Sequence, residues 1–505
     1  MQERRRKELT GIRITALDDR GRGRGAYHGP DGRERPIAVT GALPGDLVDV
    51  QVRRRKAGTI LAEPLRIVKT DHPRRTPFCR HFGDCGGCTV QDLEYRDQLA
   101  LKEGIVRAAF TPPELASAIR DGGIQPILET PREQFYRNKL EYSFGAQRWL
   151  TEEEVRQGGE IADRRGLGFH APGRFDRVLN ISECYLQPEP SGSVRAFLRE
   201  LSMRENLDFY DAREHRGLLR LLIVRTALTG ESMVTIMFGE NRTERIELVM
   251  TALAEQFSGV TSLNYVVNTS RNDSIFPHEV VSYRGPAFIT ERCGPNLLRI
   301  RPKAFYQTNP EQAVRLYHAA LAPEDVHDAI GGDAPDGEIV VGGDAPLSDR
   351  LSSEESASGR TLAFDLYCGI GSITLLLARA FSRVVGIETV EEAVQAAREN
   401  ADLNGLENAE FHQGEVETLL PSLVARYGEP DLVVVDPPRA GLHPGARAAL
   451  RQLAPARIVY VSCNPRTQAT DIRDLVDRYR ITRMQPVDMF PQTRHVENVV
   501  HLERR

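Results

Sequence analysis

The chain has 505 residues, 40% of them hydrophobic and 27% charged, with a formal net charge of −5; by size it can hold about three cores of roughly 150 residues each. No run approaches the roughly 18 apolar residues of a membrane span, and the basic start MQERRRKELT lacks the apolar stretch of a secretory signal. A membrane protein is thereby excluded and a cytoplasmic location expected. Seven cysteines are too few for a disulfide framework, so clustered ones point to metal or catalysis.

Charge is unevenly spread. Residues 1–75 carry 18 Lys/Arg against 10 Asp/Glu, whereas the other 430 carry 48 against 61. A basic module on an acidic body suits a polyanion met at one end, although a merely solvated surface gives the same count. Within 11–69 the runs IRITAL, RPIAVT, LVDVQVR and GTILAEPLRIV alternate apolar and polar residues between Gly- or Pro-bearing turns. Between them lie DDRGRGRGAYHGPDGRER and the block Arg53, Arg54, Arg55, Lys56. The pattern predicts a five-stranded barrel over 1–70, with basic loops and an exposed Tyr27. It resembles a TRAM domain, an OB-like RNA-binding module, whose GALPGD turn stands at 41–46.

A cysteine-rich loop follows. FCRHFGDCGGCTVQ separates Cys79, Cys85 and Cys88 by five and two residues, and Cys184 in ISECYLQ is the candidate fourth ligand. This spacing argues for a metal over a disulfide pair. Tetrahedral zinc and an iron–sulfur cluster both accept four thiolates, so spacing leaves the two open. The strand-like runs KLEYSF, RLLIVRTAL, SMVTIMFG and SLNYVVN predict an antiparallel sheet in a central α+β domain over 71–300. Residues 323–359 differ, with ten Asp/Glu, one basic residue (Arg350) and a repeated GGDAP. They read as a flexible acidic insertion without chemistry.

From 301 to 505, and clearly from 360, strands and helices alternate. TLAFDLYC, RVVGIE, DLVVVDPP, ARIVYVSC and HVENVVHL read as strands, SITLLLARAF and VEEAVQAARENADLNG as helices. This is the α/β Rossmann-like, doubly wound pattern. After the first strand, Gly369 and Gly371 allow a tight turn in which backbone N–H groups approach a ligand. Nineteen residues past Gly369, Glu388 ends the second strand, where a carboxylate can accept hydrogen bonds from both ribose hydroxyls. The loop lacks the G-x-G-x-x-G of a pyrophosphate cradle. Together with Asp436-Pro437-Pro438-Arg439 it points to S-adenosyl-L-methionine and away from a dinucleotide.

Ser462-Cys463-Asn464-Pro465 closes a later strand just before a helix, where the macrodipole favours a thiolate. A small buried core cysteine is the plainer alternative for an isolated position of this kind. Such a thiolate explains how an inert carbon is methylated. Carbon 5 of uracil is a poor nucleophile; thiolate addition at carbon 6 makes an enolate, and carbon 5 then attacks the donor methyl. Loss of the carbon-5 proton requires a general base, for which Glu497 in His495-Val-Glu497-Asn is the candidate. On an otherwise apolar strand, desolvation is expected to raise its pKa.

CGIGSITLLLA, DPPRAGL, SCNPRT and MFPQTRHVE, together with FYQTN at 305–309 and RNKLEYSF at 137–144, resemble the RNA 5-methyluridine methyltransferase family. The resemblance implies that Cys463 is the nucleophile and Glu497 the base, and that Gln307, Tyr367, Glu388 and Asp436 hold the donor. Ser372 and Glu415 occupy two further donor positions but depart from the family's usual residues there. Phe305 is expected to line the pocket of a flipped uracil. For Cys79, Cys85, Cys88 and Cys184 the resemblance implies a [4Fe–4S] cluster, structural or RNA-contacting and without a redox step. Barrel and cluster together most resemble the branch acting on 23S ribosomal RNA, while relatives with this layout act on the T-loop uridine of transfer RNA. No protein partner is predicted. A base N-methyltransferase, which needs no thiol, and a non-catalytic RNA-binding factor are the rival readings.

Overall fold

The computed structural model describes residues 7–18, 21–117, 119, 123–158, 161, 163–321 and 361–505. The acidic insertion expected at 323–359 lies outside the described residues. The chain forms two compact units: one runs up to Ile105 and also takes Phe490–Arg494, and the other holds Val106–Met489 and His495–Arg505. Among the described residues no helix is long and apolar enough to cross a membrane.

The first unit contains a closed five-stranded barrel of order β1-β2-β3-β5-β4. Its strands are β1 Glu8–Leu17, β2 Gly23–His28, β3 Glu34–Val39, β4 Leu47–Lys56 and β5 Thr59–Lys69. Inward positions such as Ile12, Ile14, Ile37, Val48, Val50 and Ile60 fill its core, as period-two patterning requires. Closure depends on β2, which the sequence left among the basic loops. A Cβ at Gly25 would stand 2.3 Å from the Arg13 carbonyl, so only glycine lets β2 lie this close to β1. Tyr27 is therefore a half-buried strand residue packed on the barrel core, not an exposed loop aromatic. In the GALPGD turn, buried Asp46 accepts hydrogen bonds from Leu43 N (2.8 Å), Thr70 Oγ1 (2.6 Å) and Arg74 Nη2 (3.0 Å).

The second unit is built on two seven-stranded sheets. The central sheet has the order β12-β11-β10-β9-β6-β7-β8, from β6 Lys139–Gly145, β7 Gly166–His170, β8 Val178–Asn180, β9 Leu219–Thr226, β10 Ser232–Phe238, β11 Ser262–Val267 and β12 Val281–Arg284. It is antiparallel except that β10 and β11 run parallel. The helix Thr243–Gln256 between those strands supplies the crossover that a parallel pair needs. The purely antiparallel expectation is corrected there. A hairpin of β13 Ile289–Cys293 and β14 Asn296–Ile300 follows.

The other sheet has the order β17-β16-β15-β18-β19-β21-β20. Its strands are β15 Leu362–Leu366, β16 Arg383–Glu388, β17 Ala409–Gln413, β18 Leu432–Val435, β19 Arg457–Ser462, β20 Tyr479–Val487 and β21 Glu497–Arg504. β15 to β19 are parallel and β21 runs antiparallel to both of its neighbours. The central parallel strands are buried along their whole length and, Asp365 apart, apolar, as helices on both faces demand. Chain order reverses between β15 and β18, which opens a crevice at their carboxyl ends.

Candidate active site

Register places the expected nucleophile and base. The β19–β21 ladder ends at Ser462↔Asn498, so the next step along each antiparallel strand brings Cys463 opposite Glu497. Asp436 is one residue past β18, on the adjoining strand of the same edge. Asn464 caps the helix Pro465–Arg473 by accepting from Arg466 N, with Pro465 at its first position. The turn that carries Cys463 is thus fixed on both sides.

Electrostatics at this edge differ from a ready thiolate. Burial pushes the Cys463 thiol up to about 11, with the nearby carboxyls of Glu497 and Asp436 adding to the rise. The nearby Arg439 guanidinium opposes it. Burial and the two acidic neighbours thus act against the pull expected of the helix N-terminus. Glu497 is 3% exposed. Its carboxyl is pushed up to about 8 by burial and then by Asp436, again against Arg439. Burial alone lifts Asp436 to about 7.

Arg439 had entered only as a letter in the DPPR motif. Its carbonyl accepts from Asn464 Nδ2 (3.2 Å) and Thr467 Oγ1 (3.3 Å), and its Nη2 lies 3.1 Å from His495 Nδ1. One residue thus joins the DPPR loop, the nucleophile's helix and the strand bearing the base. Asp471 was not anticipated either. It accepts from Leu442 N (2.7 Å) and Tyr460 Oη (2.7 Å) and pairs with Arg447, which ties the DPPRAGL loop to that same helix. An acidic side chain on the inner face of a short helix is the signal that could have found it.

The glycine loop has the form the sequence required. Tyr367, Gly369 and Gly371 all take positive φ, and an added Cβ at Gly369 would meet nothing within 4 Å, so the space above the loop is open. Glu388 Oε2 accepts from Gly369 N at 3.1 Å, while its Oε1 accepts from Thr389 N and Val390 N. The carboxylate is held rigid and keeps lone pairs for a ribose. Beneath the loop, Asp365 receives Thr374 Oγ1 at 2.6 Å and is pushed up to about 7 by burial. These groups fit an adenosyl ligand: an open glycine turn and an acid at ribose distance in sequence, with Asp436 beyond.

The other expected donor residues fall around this loop. Buried Ser372 opens the helix Ser372–Leu377, close to buried Tyr317. Tyr367 is pushed up to about 12 by burial, with Glu417 and then Glu415 adding to it, so exposed Glu415 lies on the tyrosine's side of the loop. Gln307 is buried just before the helix Pro310–Ala320, which Asn309 caps from Gln312 N. Asn138 of RNKLEYSF fastens that segment by donating from Nδ2 to Gln307 O (3.0 Å) and from N to Thr308 O (2.8 Å). Phe305 is 70% exposed, an aromatic face open to a base.

The cysteine expectation fares differently. Cys79, Cys85 and Cys88 belong to the first unit and Cys184 to the second. Gly87 N lies 3.4 Å from Cys85 Sγ, and burial is the main cause that raises the Cys85 thiol, with Cys79 nearby adding to it. Among the described residues no group of three or more His, Cys, Asp or Glu side chains is gathered closely enough to hold a metal ion. Cys79, Cys85, Cys88 and Cys184 would supply four thiolates to a metal group, and no step of the chemistry is routed through them.

Known proteins resemble this chain over most of its length. The family model described as tRNA (Uracil-5-)-methyltransferase matches residues 354–505. An uncharacterized RNA methyltransferase of Porphyromonas gingivalis is 40% identical over 92% of this chain and 94% of its own length. A second, from Bacteroides thetaiotaomicron, is 37% identical over 93% and 97%. The crystal structure of Pyrococcus abyssi tRNA (uracil-54, C5)-methyltransferase in complex with S-adenosyl-L-homocysteine has a TM-score of 0.67 and 26% identity, covering 98% of this chain and all of that one.

Proposed function

Because this chain belongs to the RNA uracil-C5 methyltransferase family, we propose that it methylates carbon 5 of one uridine in 23S ribosomal RNA through a covalent Cys463 adduct. It is an RNA methyltransferase that uses S-adenosyl-L-methionine. The observation that carries the adduct reading is the register that sets Cys463 opposite Glu497, beside Asp436 and Arg439.

At rest both members of the pair are protonated near neutral pH, since their groups titrate at about 11 and about 8. Arg439 favours the thiolate, so its approach to the sulfur supports loss of the thiol proton to solvent and addition of the sulfur at carbon 6 of a uracil drawn out of its stack against Phe305, the ring π pair moving onto the 4-carbonyl oxygen. Gly369, Glu388 and Asp436 would hold S-adenosyl-L-methionine, which when bound would supply an electrophilic methyl group. Glu497, once ionised, takes the carbon-5 proton. The C–H electron pair restores the carbon 5–carbon 6 double bond and expels the Cys463 thiolate. A carboxyl lifted towards neutrality is a stronger base than an ordinary glutamate and remains ionised in part.

Barrel and cysteine pattern support the ribosomal target. A second reading is the T-loop uridine of transfer RNA, favoured by the Pyrococcus abyssi tRNA enzyme that matches nearly the full length. The [4Fe–4S] assignment rests on the cysteine spacing and the family resemblance, and a cytoplasmic location on the sequence alone. Mapping 5-methyluridine in both RNAs from cells lacking the protein tests the target. Loss of one position in 23S rRNA is the expected result, and loss confined to tRNA transfers the activity there.

A further inference from the structure

Sulfur and carboxyl stand on different elements, one in the turn entering a helix and the other on an antiparallel strand. Two amides with no solvent exposure bridge those elements. Gln468 sits on the helix Pro465–Arg473, and Asn498 follows Glu497 on β21. Gln468 Nε2 donates to the carbonyls of Tyr460 (2.8 Å) and Asn498 (3.0 Å), while its Oε1 accepts from Asn498 Nδ2 at 2.8 Å. Backbone carbonyls only accept, so the Gln468 amide can face just one way, and the Asn498 amide must follow. Strand β19, the helix after the nucleophile and the strand of the base are thereby locked in one register.

Simple space-filling does not account for the pair. Asn498 Oδ1 is buried and has no hydrogen-bond partner among the described residues, a cost that an aliphatic side chain would avoid. What the amides add is placement. Carbons 5 and 6 of the ring are bonded neighbours, so during elimination one must face Glu497 while the other is still joined to Cys463 sulfur. No other step asks both side chains to be correct together.

We propose that Gln468 and Asn498 are a positioning pair, setting the Cys463–Glu497 separation that carbon-5 proton removal and thiolate expulsion require. The proposal rests on the adduct reading above. In that step the C5–H pair forms the ring double bond, the C6–S bond breaks onto sulfur, and the proton goes to the Glu497 carboxylate.

Wild type, Gln468→Met and Asn498→Val are compared with tritiated S-adenosylmethionine and total RNA from cells lacking the protein. Product 5-methyluridine and the methylated protein–RNA adduct on denaturing gels are both measured. A misplacement of about 1 Å costs roughly 100-fold in rate. Each variant is therefore expected to lose about 10- to 100-fold in kcat, keep its donor KM within about twofold, and accumulate methylated adduct. If Gln468→Met does not fold, Asn498→Val, which suits a strand position, decides alone. Unchanged kcat overturns the proposal. So does a fall in activity that tracks thermal midpoint and donor KM with no adduct build-up, which is the mark of a structural role. Wild type that methylates RNA without any adduct removes the adduct reading itself, and the pair's role with it.

Discussion

The strand edge at Cys463 and the cysteine loop both gather side chains suited to catalysis or metal binding, the one by strand register and the other by closeness in sequence. At the edge, Asp436, Cys463 and Glu497 each stand at the end of a strand, and backbone pairing carries them together. The loop holds Cys79, Cys85 and Cys88 close in sequence, and Cys184 belongs to the other compact unit. A site built on strand register is specified by hydrogen-bond ladders before any ligand arrives. A site built from loop thiols depends on metal to supply its geometry.

The contrast can be broken most sharply at the nucleophile. Cys463→Ala should cut methyl transfer at least about 10⁴-fold, as loss of an attacking group does elsewhere, while S-adenosylhomocysteine binding by calorimetry is retained. Activity within tenfold of wild type would favour an N-methyltransferase. Glu497→Gln should lower kcat by about 10²–10⁴-fold and leave methylated adduct on denaturing gels. Wild-type kcat should rise with pH through about 8 as Glu497 ionises, and the glutamine variant should lose that limb.

The same residue makes a stability prediction. Its folded pKa lies above the ordinary value of 4.5, so its contribution is fully present below about pH 4.5 and is lost as pH rises through about 8. Glu497→Gln, a permanently neutral mimic, should therefore be more stable than wild type at pH 8.5, by about 1–3 kcal/mol, and nearly equal to it at pH 4.5. Denaturant melts at the two pH values check this.

On the loop side, Cys85→Ser sharpens the comparison. It should remove iron and brown absorbance from anaerobically purified protein and lower folding yield, with a kcat per folded molecule within about tenfold of wild type. Colourless, fully folded wild type containing zinc would replace the iron assignment. The smallest effect is expected at Glu415→Gln: exposed beside the loop, it should change donor KM by less than about threefold, in line with surface charge pairs. Glu388→Ala, at a carboxylate fixed by three backbone N–H groups, should raise donor KM well beyond that.

Much of this was legible in the sequence, for identifiable reasons. Buried parallel strands are continuous apolar runs, so β15, β16, β18 and β19 announced themselves, and with them the residues at their ends. β2 escaped because GRGAYH carries its meaning in glycines that permit close approach and not in apolar alternation. The parallel β10–β11 pair escaped because its crossover helix lies between two runs that each read as ordinary strands. At the site, residue types gave Cys463 and Glu497 their expected roles, but the Cys463 shift comes first from burial and then from Glu497, Arg439 and Asp436, which converge on the sulfur only in the fold. Arg439, Asp471 and Asn138 act through hydrogen bonds to the backbone, which no spacing rule records.

The central claim is a transient bond between Cys463 sulfur and carbon 6 of uracil. RNA carrying 5-fluorouridine, incubated with wild-type enzyme and S-adenosylmethionine, tests it directly, because fluorine at carbon 5 cannot leave as a proton does. Mass spectrometry of the digested complex should find a methylated fluorouracil joined to the peptide that contains Cys463. Ordinary RNA methylated by the same preparation, with no trapped species or with the link on another residue, would contradict the account.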